Sequence, residues 1–364
     1  MKKRVLSVIA LLLSLTMFVV GCSSGSKSEE SAEKAESADD KSGAITVAYK
    51  AAPPNLDSDQ STDWTVTAVM NHVYEGLYEF NASSEAVPHL AKSCDIENDG
   101  KTYVFHLREG VLFHDGSEMK ASFDRWFAVN EMGISVSEYV DSVDVVDDYT
   151  VSVKLNSVYA PFLNVIASPT SNQKMVVRPA SLIEKYGNDV LEEHIGTGPY
   201  KFDSWVPDAS VKLVKFDDYV PVEGEASGFA GERVAYANEI NIQFVTDESV
   251  RVSGLETGEF MFAEEISQDK YSQVESSENT VPQIMDSDVE GMLTFNCGAA
   301  PFDDLNARKA VAIGLDLEEL GTAQIGDEKF WSLDGCLFDK STVWYDENAG
   351  EGVYAKNDIE LAKE

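Results

Sequence analysis

Five histidines are the residues of this chain best suited to bind a metal or transfer a proton, but their spacing matches no standard motif. No two of them stand in the HExxH pattern by which a helix holds zinc. His106 and His114 lie eight residues apart across a predicted turn, with Asp115 beside the second. Two hypotheses stay open for this pair: a metal site, or histidines at a strand edge or on the surface. The five are His72, His89, His106, His114 and His194.

Two glycine motifs approach nucleotide-binding signatures and then depart from them. Gly100-Lys101-Thr102 ends like a phosphate-binding loop, but Asp95 stands where that motif requires its first glycine. Gly196-Thr197-Gly198-Pro199 begins like a dinucleotide fingerprint, but Lys201 replaces the last glycine. Both segments are therefore predicted to be turns. From Ala44 onward no GxSxG nucleophile elbow occurs, so the sequence predicts no catalytic residue, no metal, no cofactor and no enzyme.

The net charge of the chain is −36, from 64 acidic and 28 basic residues. Nucleic-acid binding depends on clustered lysine and arginine side chains that neutralise phosphates, so this balance argues against a nucleic-acid partner. With so many carboxylates, no pair stands out as a general acid and base, and a glycosidase is neither supported nor excluded. The 43% of hydrophobic residues suffice for a large buried core.

The first 22 residues have the order of a secretory signal. A basic start, Lys2-Lys3-Arg4, precedes a mostly apolar run, Val5–Val20, and Gly21-Cys22 follows it. A cysteine directly after the cleavage point resembles the lipobox of bacterial lipoproteins, in which that cysteine carries the lipid. The alternative is a membrane-spanning anchor with a chance cysteine, although the run is shorter than the roughly 20 residues that a spanning helix needs. We expect a signal peptide over residues 1–21 and lipid attachment at Cys22.

Residues 22–43 are expected to form a disordered tether. After Cys22 they are Ser, Glu, Ala, Lys, Asp and Gly, with no apolar residue larger than alanine. Such a composition buries too little apolar surface to offset the entropy that ordering costs. About 20 residues of flexible chain span roughly 25 Å, which would lift a folded body clear of the lipid headgroups.

Three further cysteines cannot all be paired with one another. The sequence allows one bridge, for which Cys297 with Cys336 is the favoured pair, and at least one of the three is expected to be a buried free thiol. The third is Cys94.

Hydrophobic periodicity in the folded part predicts strands and helices that do not alternate regularly. Apolar residues recur at helical spacing from Trp64 to Tyr78. Asn98-Asp99-Gly100 is a strong turn signal within a hairpin predicted from Asp95 to Leu112. Asp303-Asp304 is expected to cap a helix from Leu305 to Leu315. The other predicted strands are Ile45–Tyr49, a pair from Val143 to Leu155 turning at Asp147-Asp148, Val211–Phe216 and Glu239–Val245.

A set of short segments along residues 44–364 follows a familiar order. The most specific block runs Phe105-His106-Leu107-Arg108-Glu109-Gly110-Val111 and then Phe113-His114-Asp115-Gly116. The others are Val73–Phe80, Pro88–Ala91, Asp99–Tyr103, Asp147–Val151, Gly196–Tyr200 and Asn306–Val311. Together they resemble the family 5 solute-binding proteins, the extracellular receptors of peptide, nickel and related ABC importers. One departure is Lys120-Ala121-Ser122-Phe123-Asp124, where the family usually has Thr-Ala-Asp-Asp-Val. These segments mark a fold and carry no evident chemistry.

The resemblance implies an α/β fold: a two-lobed periplasmic-binding-protein-like fold of type II, the large peptide-binding class, with the second lobe incomplete. Lobe I would span residues 44–292, with an inserted subdomain at about 76–190, and lobe II would begin with residues 293–364. The ending Ile359–Glu364 has a helical pattern without a C-terminal cap. We therefore expect a chain truncated relative to the longer family.

The ligand of such a protein would lie in the cleft between the lobes, which close by a hinge. We expect the crossing between the lobes near Met292–Asn296. Trp64, in the loop before the first helix, would form an apolar wall, Asp63 would meet an amine and Asn296 would bind peptide backbone. The alternative for each candidate is ordinary packing. The expected ligand-binding residues are Thr62, Asp63, Trp64, Phe295, Asn296 and Cys297.

The resulting hypothesis is a monomeric, lipid-anchored receptor that captures oligopeptides or dipeptides and delivers them to an ABC permease. It would sit on the extracytoplasmic face of the cell membrane, held in the lipid bilayer through Cys22. Nickel-chelate, glutathione or sugar ligands are alternatives within the same class. A secreted hydrolase and a surface adhesion or sensory module are the alternatives from other classes.

Overall fold

The computed structural model describes residues 43–115, 123–285 and 291–364. The predicted signal peptide, Cys22 and nearly all of the predicted tether lie outside the described residues, as do residues 116–122 of the motif region. The strands are β1 Ala44–Tyr49, β2 Tyr78–Phe80, β3 Ala86–Pro88, β4 Ala91–Glu97, β5 Thr102–Leu107, β6 Val140–Asp147, β7 Thr150–Leu155, β8 Tyr200–Val206, β9 Ser210–Lys215, β10 Glu239–Phe244 and β11 Phe262–Ala263. The helices are α1 Trp64–Met70, α2 Asp124–Val129, α3 Glu131–Ser137, α4 Phe162–Ala167, α5 Ala180–Tyr186, α6 Glu248–Thr257, α7 Gln268–Ser276, α8 Leu305–Gly314, α9 Leu317–Gln324 and α10 Ile359–Lys363.

The first sheet has five strands in the order β11-β1-β10-β9-β8. β1 runs parallel to both β10 and β11, whereas β9 is antiparallel to its two neighbours. Alternation along the strands sends every second side chain to one face, and α1 packs its apolar side chains against that face. The buried residues of this core include Val47, Val66, Met70, Val211, Leu213 and Ile242.

The second sheet, β4-β5-β7-β6, is antiparallel and lies between β1 and β8 in the sequence. The predicted hairpin is confirmed, with β4 and β5 joined at Asn98–Gly100. Asn98, Asp99 and Gly100 have φ of 52°, 55° and 85°, in the left-handed region that these residue types tolerate best. The predicted strand pair that turns after Asp147 is confirmed as β6 and β7.

The core of the second sheet is rich in aromatic side chains. Tyr103, Phe105 and Leu107 share the buried face of β5. Phe162 of α4 packs on this face, with its ring centroid 4.7 Å from Tyr103 and 6.4 Å from Phe105. Trp126 of α2 joins the same core and donates its Nε1–H to the Gln173 carbonyl at 3.0 Å. Large rings therefore hold α2 and α4 against this sheet.

The predicted helix from Trp64 to Tyr78 is wrong beyond Met70, where α1 ends. The carbonyl of His72 accepts a hydrogen bond from the Tyr200 N–H, and that of Val73 accepts one from the Gly198 N–H. Because these carbonyls bind another segment, they do not continue the helical ladder. The approach is close, since a Cβ on Gly196 would lie 2.0 Å from the Val73 oxygen. The predicted turn at Gly196–Pro199 thus serves as a packing surface for the chain after α1.

Residues 291–364 contain α8, α9 and α10, but of their side chains the structure buries that of Cys336 alone. Asp304 caps α8 by accepting from the Asn306 N–H at 2.8 Å, which confirms the predicted cap. The expected crossing Met292–Asn296 forms no strand, and Met292 is 73% exposed. Among the described helices, none combines the length and the apolar character needed to cross a membrane.

The three described cysteines are free thiols, so the favoured bridge between Cys297 and Cys336 is not formed. Cys297 is exposed, and its Sγ lies 3.6 Å from the Phe295 carbonyl. Cys336 is buried, as expected for at least one thiol, and its Sγ accepts from the N–H groups of Phe338 and Asp346 at 3.4 Å. Each sulfur is therefore engaged locally.

Candidate functional site

The carboxyl ends of three parallel strands meet at one edge of the first sheet. β1 ends at Tyr49, β10 at Phe244 and β11 at Ala263, and the parallel register sets these ends side by side. The connections that leave them run to α1, α6 and α7. Open α/β sheets bind ligands outside such carboxyl ends, in the crevice that the connections leave. We call this region the carboxyl edge, and it is the candidate ligand site.

Three of the predicted ligand residues lie at the end of the β1–α1 connection, which leaves the carboxyl edge. Asp63 is the N-cap of α1, because its Oδ1 accepts a hydrogen bond from the Thr65 N–H at 2.8 Å. Thr62 is exposed, and Trp64 exposes 55% of its surface. A half-exposed indole offers a flat apolar surface together with a hydrogen-bond donor.

Lys50, Glu264 and Glu265 add charge to the carboxyl edge. Lys50 Nζ lies 2.6 Å from Glu265 Oε2, and the Lys50 backbone N–H donates to Glu264 Oε1 at 3.4 Å. Burial raises the pKa of Glu264, against the opposing effect of the Lys50 hydrogen bond. Burial also raises the pKa of Tyr49 to about 12, with a further contribution from the Glu264 charge. The edge therefore presents a cation and two carboxyl groups, while the Tyr49 side chain is buried in the core of the first sheet.

A buried group of four charges anchors the β1–α1 connection. Asp57 and Asp59 belong to the connection, Arg125 to α2, and Arg178 to the segment before α5. Arg125 binds Asp57 through NH2, and its Nε lies 3.2 Å from Asp59 Oδ2. Arg178 NH1 lies 2.8 Å from the same Asp59 oxygen. None of the four residues is more than 2% exposed. We call Asp57, Asp59, Arg125 and Arg178 the loop cluster.

The loop cluster is balanced, with two carboxylates facing two guanidinium groups. Burial raises the pKa of Asp59 above its ordinary value, while the charges of Arg178 and Arg125 oppose that rise. The ionised form of Asp59 therefore depends on both arginines. Arg125 also donates to the carbonyls of Gly187 and Asp189, the latter at 3.0 Å. The cluster thus joins the connection to α2 and to the chain after α5.

A second, largely buried group of charges joins residues 75–89 to Lys174 and Arg233. Glu79 Oε1 lies 2.8 Å from Lys174 Nζ and 3.8 Å from Arg233 NH2. Glu75 Oε1 accepts from His89 Nε2 at 2.9 Å and lies 3.9 Å from Arg233 NH1. We call Glu75, Glu79, His89, Lys174 and Arg233 the frame cluster.

The Glu75 carboxylate of the frame cluster accepts hydrogen bonds from three other side chains. Its Oε2 accepts from the Thr197 hydroxyl and its Oε1 from the Tyr219 hydroxyl, both at 2.8 Å. Burial alone would raise the pKa of Glu75, but the hydrogen bond and charge of His89, with the charge of Arg233, lower it to about 2. The carboxylate therefore stays ionised and ties four separate segments of the chain together.

The second group of predicted ligand residues is Phe295, Asn296 and Cys297. Within the described part of the chain, their hydrogen bonds and ring contacts are with residues nearby in the sequence. The Phe295 ring packs at a tilt of 49° against that of Phe302, with centroids 4.9 Å apart, and Asn296 Oδ1 accepts from the Gly298 N–H at 3.0 Å. Among the described residues, no hydrogen bond, ion pair or ring contact joins this group to residues 62–64. Its place in the ligand site stays a prediction.

The comparison with known proteins decides the family. The model for "Bacterial extracellular solute-binding proteins, family 5 Middle" matches residues 85–364, which is most of the folded chain. The chain belongs to this family.

Relatives of the family have informative names. The "Glutathione-binding protein GsiB" of Pectobacterium atrosepticum is 29% identical over 275 residues, which cover 73% of this chain and 50% of the relative. The protein of that name from Escherichia coli strain K12 is 28% identical over 274 residues, 73% of this chain and 51% of the relative. The chain thus spans about half the length of the curated relatives that it matches.

Solved family 5 structures confirm the predicted α/β fold. The periplasmic binding protein DppA from Helicobacter pylori, in complex with peptide STSA, superposes with a TM-score of 0.66 at 24% identity, over 88% of this chain and 65% of that one. The oligopeptide-binding protein AppA from Bacillus subtilis, in complex with a nonapeptide, gives 0.65 at 22%, over 88% and 63%. At these identities the likeness shows the fold.

His106 and His114, for which a shared metal site was one hypothesis, bind different partners in the structure. His106 Nε2 lies 2.9 Å from Asp95 Oδ2 on the second sheet. His114 Nδ1 accepts from the Gly196 N–H at 3.2 Å, and its Nε2 donates to the Gly198 carbonyl at 3.0 Å. In the described ranges no group of three or more His, Cys, Asp or Glu side chains is arranged to hold a metal ion. His114 serves instead to fix the Gly196–Pro199 turn.

The sequence analysis missed the loop cluster, whose members lie outside the family 5 segments quoted above. The available signal was local: Arg125 stands among aromatic residues, Arg178 ends the apolar run Met175–Val177, and Asp57 and Asp59 are spaced by two. A charged residue inside an apolar segment is buried only if it is paired. That signal predicts buried pairing, but it does not name the partners.

Proposed function

We propose that this chain is the substrate-binding receptor of an ABC importer and that it captures oligopeptides or dipeptides at the carboxyl edge. The observation that carries the proposal is Trp64, 55% exposed as the first residue of α1. Its neighbour Thr65 donates to the carbonyl of Ala51, two residues after β1 ends, at 3.3 Å, and the chain belongs to family 5. Peptides suit such an edge, because an indole contacts apolar side chains while charged and hydroxyl groups bind the termini and backbone.

The roles that we propose follow the chemistry of each side chain. Trp64 forms an apolar wall, and Thr62 supplies a hydroxyl. Asp63 uses Oδ1 to cap α1, so its second oxygen meets the ligand amine. Phe295, Asn296 and Cys297 face the ligand from the crossing between the lobes, where the Asn296 amide binds peptide backbone.

Glutathione is the second candidate ligand, since the relatives GsiB are named for binding it. It is itself a tripeptide with a free amine and two carboxylates. Lys50 at the carboxyl edge could meet one of those carboxylates, although Glu265 already occupies its ammonium group at 2.6 Å. A ligand panel therefore has to contain both linear peptides and glutathione.

The cellular setting of the proposal follows from the sequence. The receptor is held on the extracytoplasmic face of the membrane by a lipid on Cys22, works as a monomer and delivers its ligand to the permease subunits. The proposed division is signal peptide 1–21, tether 22–43, lobe I 44–292 with the subdomain at about 76–190, and lobe II from residue 293. A lipid on Cys22 predicts a mass increase that a Cys22→Ser variant lacks.

A thermal-shift screen of the 364-residue chain tests the proposed function. The panel holds di- to hexapeptides, glutathione, nickel-histidine and oligosaccharides. A ligand at a hundred times its dissociation constant adds about 2.7 kcal/mol to the free energy of unfolding. We expect stabilisation by peptides or glutathione, reduced in a Trp64→Ala variant. Stabilisation by metal complexes or sugars alone would overturn the peptide proposal.

A further inference from the structure

We propose that Arg125 and Arg178 are positioning residues for ligand binding: through the loop cluster they fix the β1–α1 connection so that Trp64 stands at the carboxyl edge. The inference rests on the proposed function, because it treats Trp64 as a ligand residue. Neither arginine is expected to touch the ligand, since the Arg125 side chain is 1% exposed and that of Arg178 is 2% exposed.

The β1–α1 connection, residues 50–63, has no helix or strand to hold its shape. Its internal order comes from short turns, in which Asn55 Oδ1 accepts from the Asp57 N–H at 2.9 Å and Asp57 Oδ1 accepts from the Asp59 N–H at 3.0 Å. Such turns set the local shape of a segment but not its place in the molecule. The place of the connection has to come from contacts with other segments.

Several contacts place the connection: Leu56 is buried in the core of the first sheet, the Asn172 N–H donates to the Ser58 carbonyl at 2.7 Å, and the loop cluster supplies the charged ones. Asp57 Oδ2 accepts from Arg125 and also from the Leu191 N–H, 134 residues further along the chain, at 3.0 Å. Arg178 binds Asp59 with NH1 and donates with NH2 to the Ser58 hydroxyl at 2.9 Å. Three successive residues of the connection are therefore bound to α2, to the segment before α5 and to the chain after α5.

A series of hydrogen bonds leads from the loop cluster to Trp64. The Ser61 N–H donates to the Asp57 carbonyl at 3.0 Å. The Asp63 N–H donates to the Ser61 hydroxyl at 3.2 Å, and the Thr65 N–H donates to Asp63 Oδ1 at 2.8 Å. A shift of Asp57 is thus passed to the first turn of α1, where Trp64 is the first residue.

Loss of one arginine changes the charge balance in a place that water does not reach. The Asp57 and Asp59 side chains are 0% exposed, and two carboxylates would then face one guanidinium group. Buried ions left without a partner are strongly unfavourable. Proton uptake by Asp59, whose pKa burial already raises, or outward movement of the connection can relieve this imbalance. When Arg125 is the arginine lost, α2 no longer binds Asp57 and Asp59 in either case, and we expect Trp64 to shift as a result.

Arg233 of the frame cluster offers a matched control. Like Arg125, it faces two buried carboxylates, those of Glu75 and Glu79. Like Arg125, it donates to two main-chain carbonyls, those of Phe229 and Asn71. No hydrogen bond or ion pair of Arg233 reaches residues 57–64 in the described chain. The two sites differ in burial and distance: the Arg233 side chain is 16% exposed and lies 3.8–3.9 Å from its carboxylates, whereas that of Arg125 is 1% exposed and hydrogen-bonded to both of its own. Replacing either arginine with methionine removes a guanidinium group that faces two carboxylates.

Hydrogen exchange followed by mass spectrometry decides between positioning and general support. The variants are Arg125→Met and Arg233→Met, compared at neutral pH in conditions where both are folded. We expect Arg125→Met to speed amide exchange in residues 58–65 at least tenfold while β5 stays protected. Arg233→Met is expected to leave residues 58–65 unchanged relative to β5. Equal acceleration in both variants, or none in Arg125→Met, would overturn the proposal.

Two further measurements complete the test: a second pair of variants and a ligand titration. If Arg125→Met does not fold, Arg125→Lys and Arg233→Lys replace the pair, since lysine keeps the charge but loses the two-pronged contact with Asp57 and Asp59. In titrations with the tightest-binding panel ligand, Arg125→Met is expected to weaken binding at least tenfold and Arg233→Met less than threefold. If the wild-type chain binds no panel ligand, the proposed function fails, whereas the exchange comparison still decides whether Arg125 positions the connection.

Discussion

The loop cluster and the frame cluster solve the same physical problem with different consequences. Each buries two carboxylates against cations from distant segments. All four members of the loop cluster are buried, whereas Arg233 of the frame cluster is 16% exposed. The loop cluster holds a connection that has no regular structure, next to the carboxyl edge. The frame cluster holds the chain after α1 against the Gly196–Pro199 turn and the 216–233 segment. Under our proposal, similar ion pairs position a binding surface in one place and support the fold in the other.

The two clusters also differ in how many of their members lie in the family 5 segments. Glu75 and Glu79 of the frame cluster lie in Val73–Phe80, and His89 lies in Pro88–Ala91. All four members of the loop cluster lie outside the quoted segments. In this chain the recognisable segments thus supply three of the five members of the frame cluster, the others being Lys174 and Arg233, and none of the loop cluster.

Acid is expected to have the largest effect, and it acts beside the frame cluster. Burial lowers the pKa of His72 and of His114 from 6.5 to about 4. Between about pH 6.5 and pH 4 the unfolded chain binds protons at these positions that the folded chain does not, so the free energy of unfolding falls as the pH falls. At about 1.4 kcal/mol per pKa unit, the expected loss is several kcal/mol. Urea titrations at pH 7 and pH 4.5 measure it.

A His114→Gln variant shows where the acid acts. Neutral His114 accepts from Gly196 and donates to the Gly198 carbonyl, so a second ring proton would face the Gly196 N–H. Glutamine keeps a donor for the carbonyl and does not titrate. We expect a shallower pH dependence in this variant. An unchanged slope would place the acid sensitivity outside the turn.

Glu75→Gln is expected to have the next largest effect. The neutral isostere leaves Arg233 and its neighbours with one buried carboxylate fewer, and breaking a buried pair costs about 3 kcal/mol in the free energy of unfolding. Asp57→Asn makes the matched change in the loop cluster, with a similar expected loss. The two variants should then separate, because only Asp57→Asn is expected to weaken ligand binding. A comparable loss of affinity in both would remove the distinction between the clusters.

Asp63 carries the smallest of these effects, about 1 kcal/mol for loss of an N-cap in Asp63→Ala. Serine can also cap a helix, so Asp63→Ser is expected to restore stability while it removes the carboxylate that is proposed to meet a ligand amine. We therefore expect Asp63→Ser to bind a free-amine peptide more weakly, with no change for the N-acetylated peptide. Equal binding of both peptides by wild type and variant would leave Asp63 with a capping role alone.

Local signals predicted local structure well. The hairpin at Asn98–Gly100 followed from residues that tolerate positive φ, and the start of α8 followed from Asp304. The prediction of a helix as far as Tyr78 was wrong after Met70. There, the residues that it expected to be buried are buried, but the chain that carries them is not helical. Val73 and Leu77 are buried, but the carbonyls of His72 and Val73 bind the Gly196–Tyr200 segment instead of the next helical turn.

The support of the candidate site could not be predicted in the same way. Arg125 meets Asp57 across 68 residues and Asp59 across 66, and nothing in the spacing of these residues selects one partner over many other carboxylates. Such pairs are chosen by the packing of whole segments. The place of Trp64 at the end of a strand connection could be predicted, because it follows a Pro-rich loop and begins a helical pattern. Its contact with a ligand stays a prediction.

The central claim is that ligand binds beside Trp64 at the carboxyl edge, and the indole signals of the chain test it most directly. The five tryptophans give five side-chain N–H signals in a ¹H–¹⁵N spectrum, and a Trp64→Phe variant identifies the signal of Trp64. Titration with panel peptides and glutathione reports weak as well as tight binding. The account predicts that the Trp64 signal shifts most, while that of buried Trp126 stays in place. Binding detected by calorimetry without movement of the Trp64 signal would contradict it.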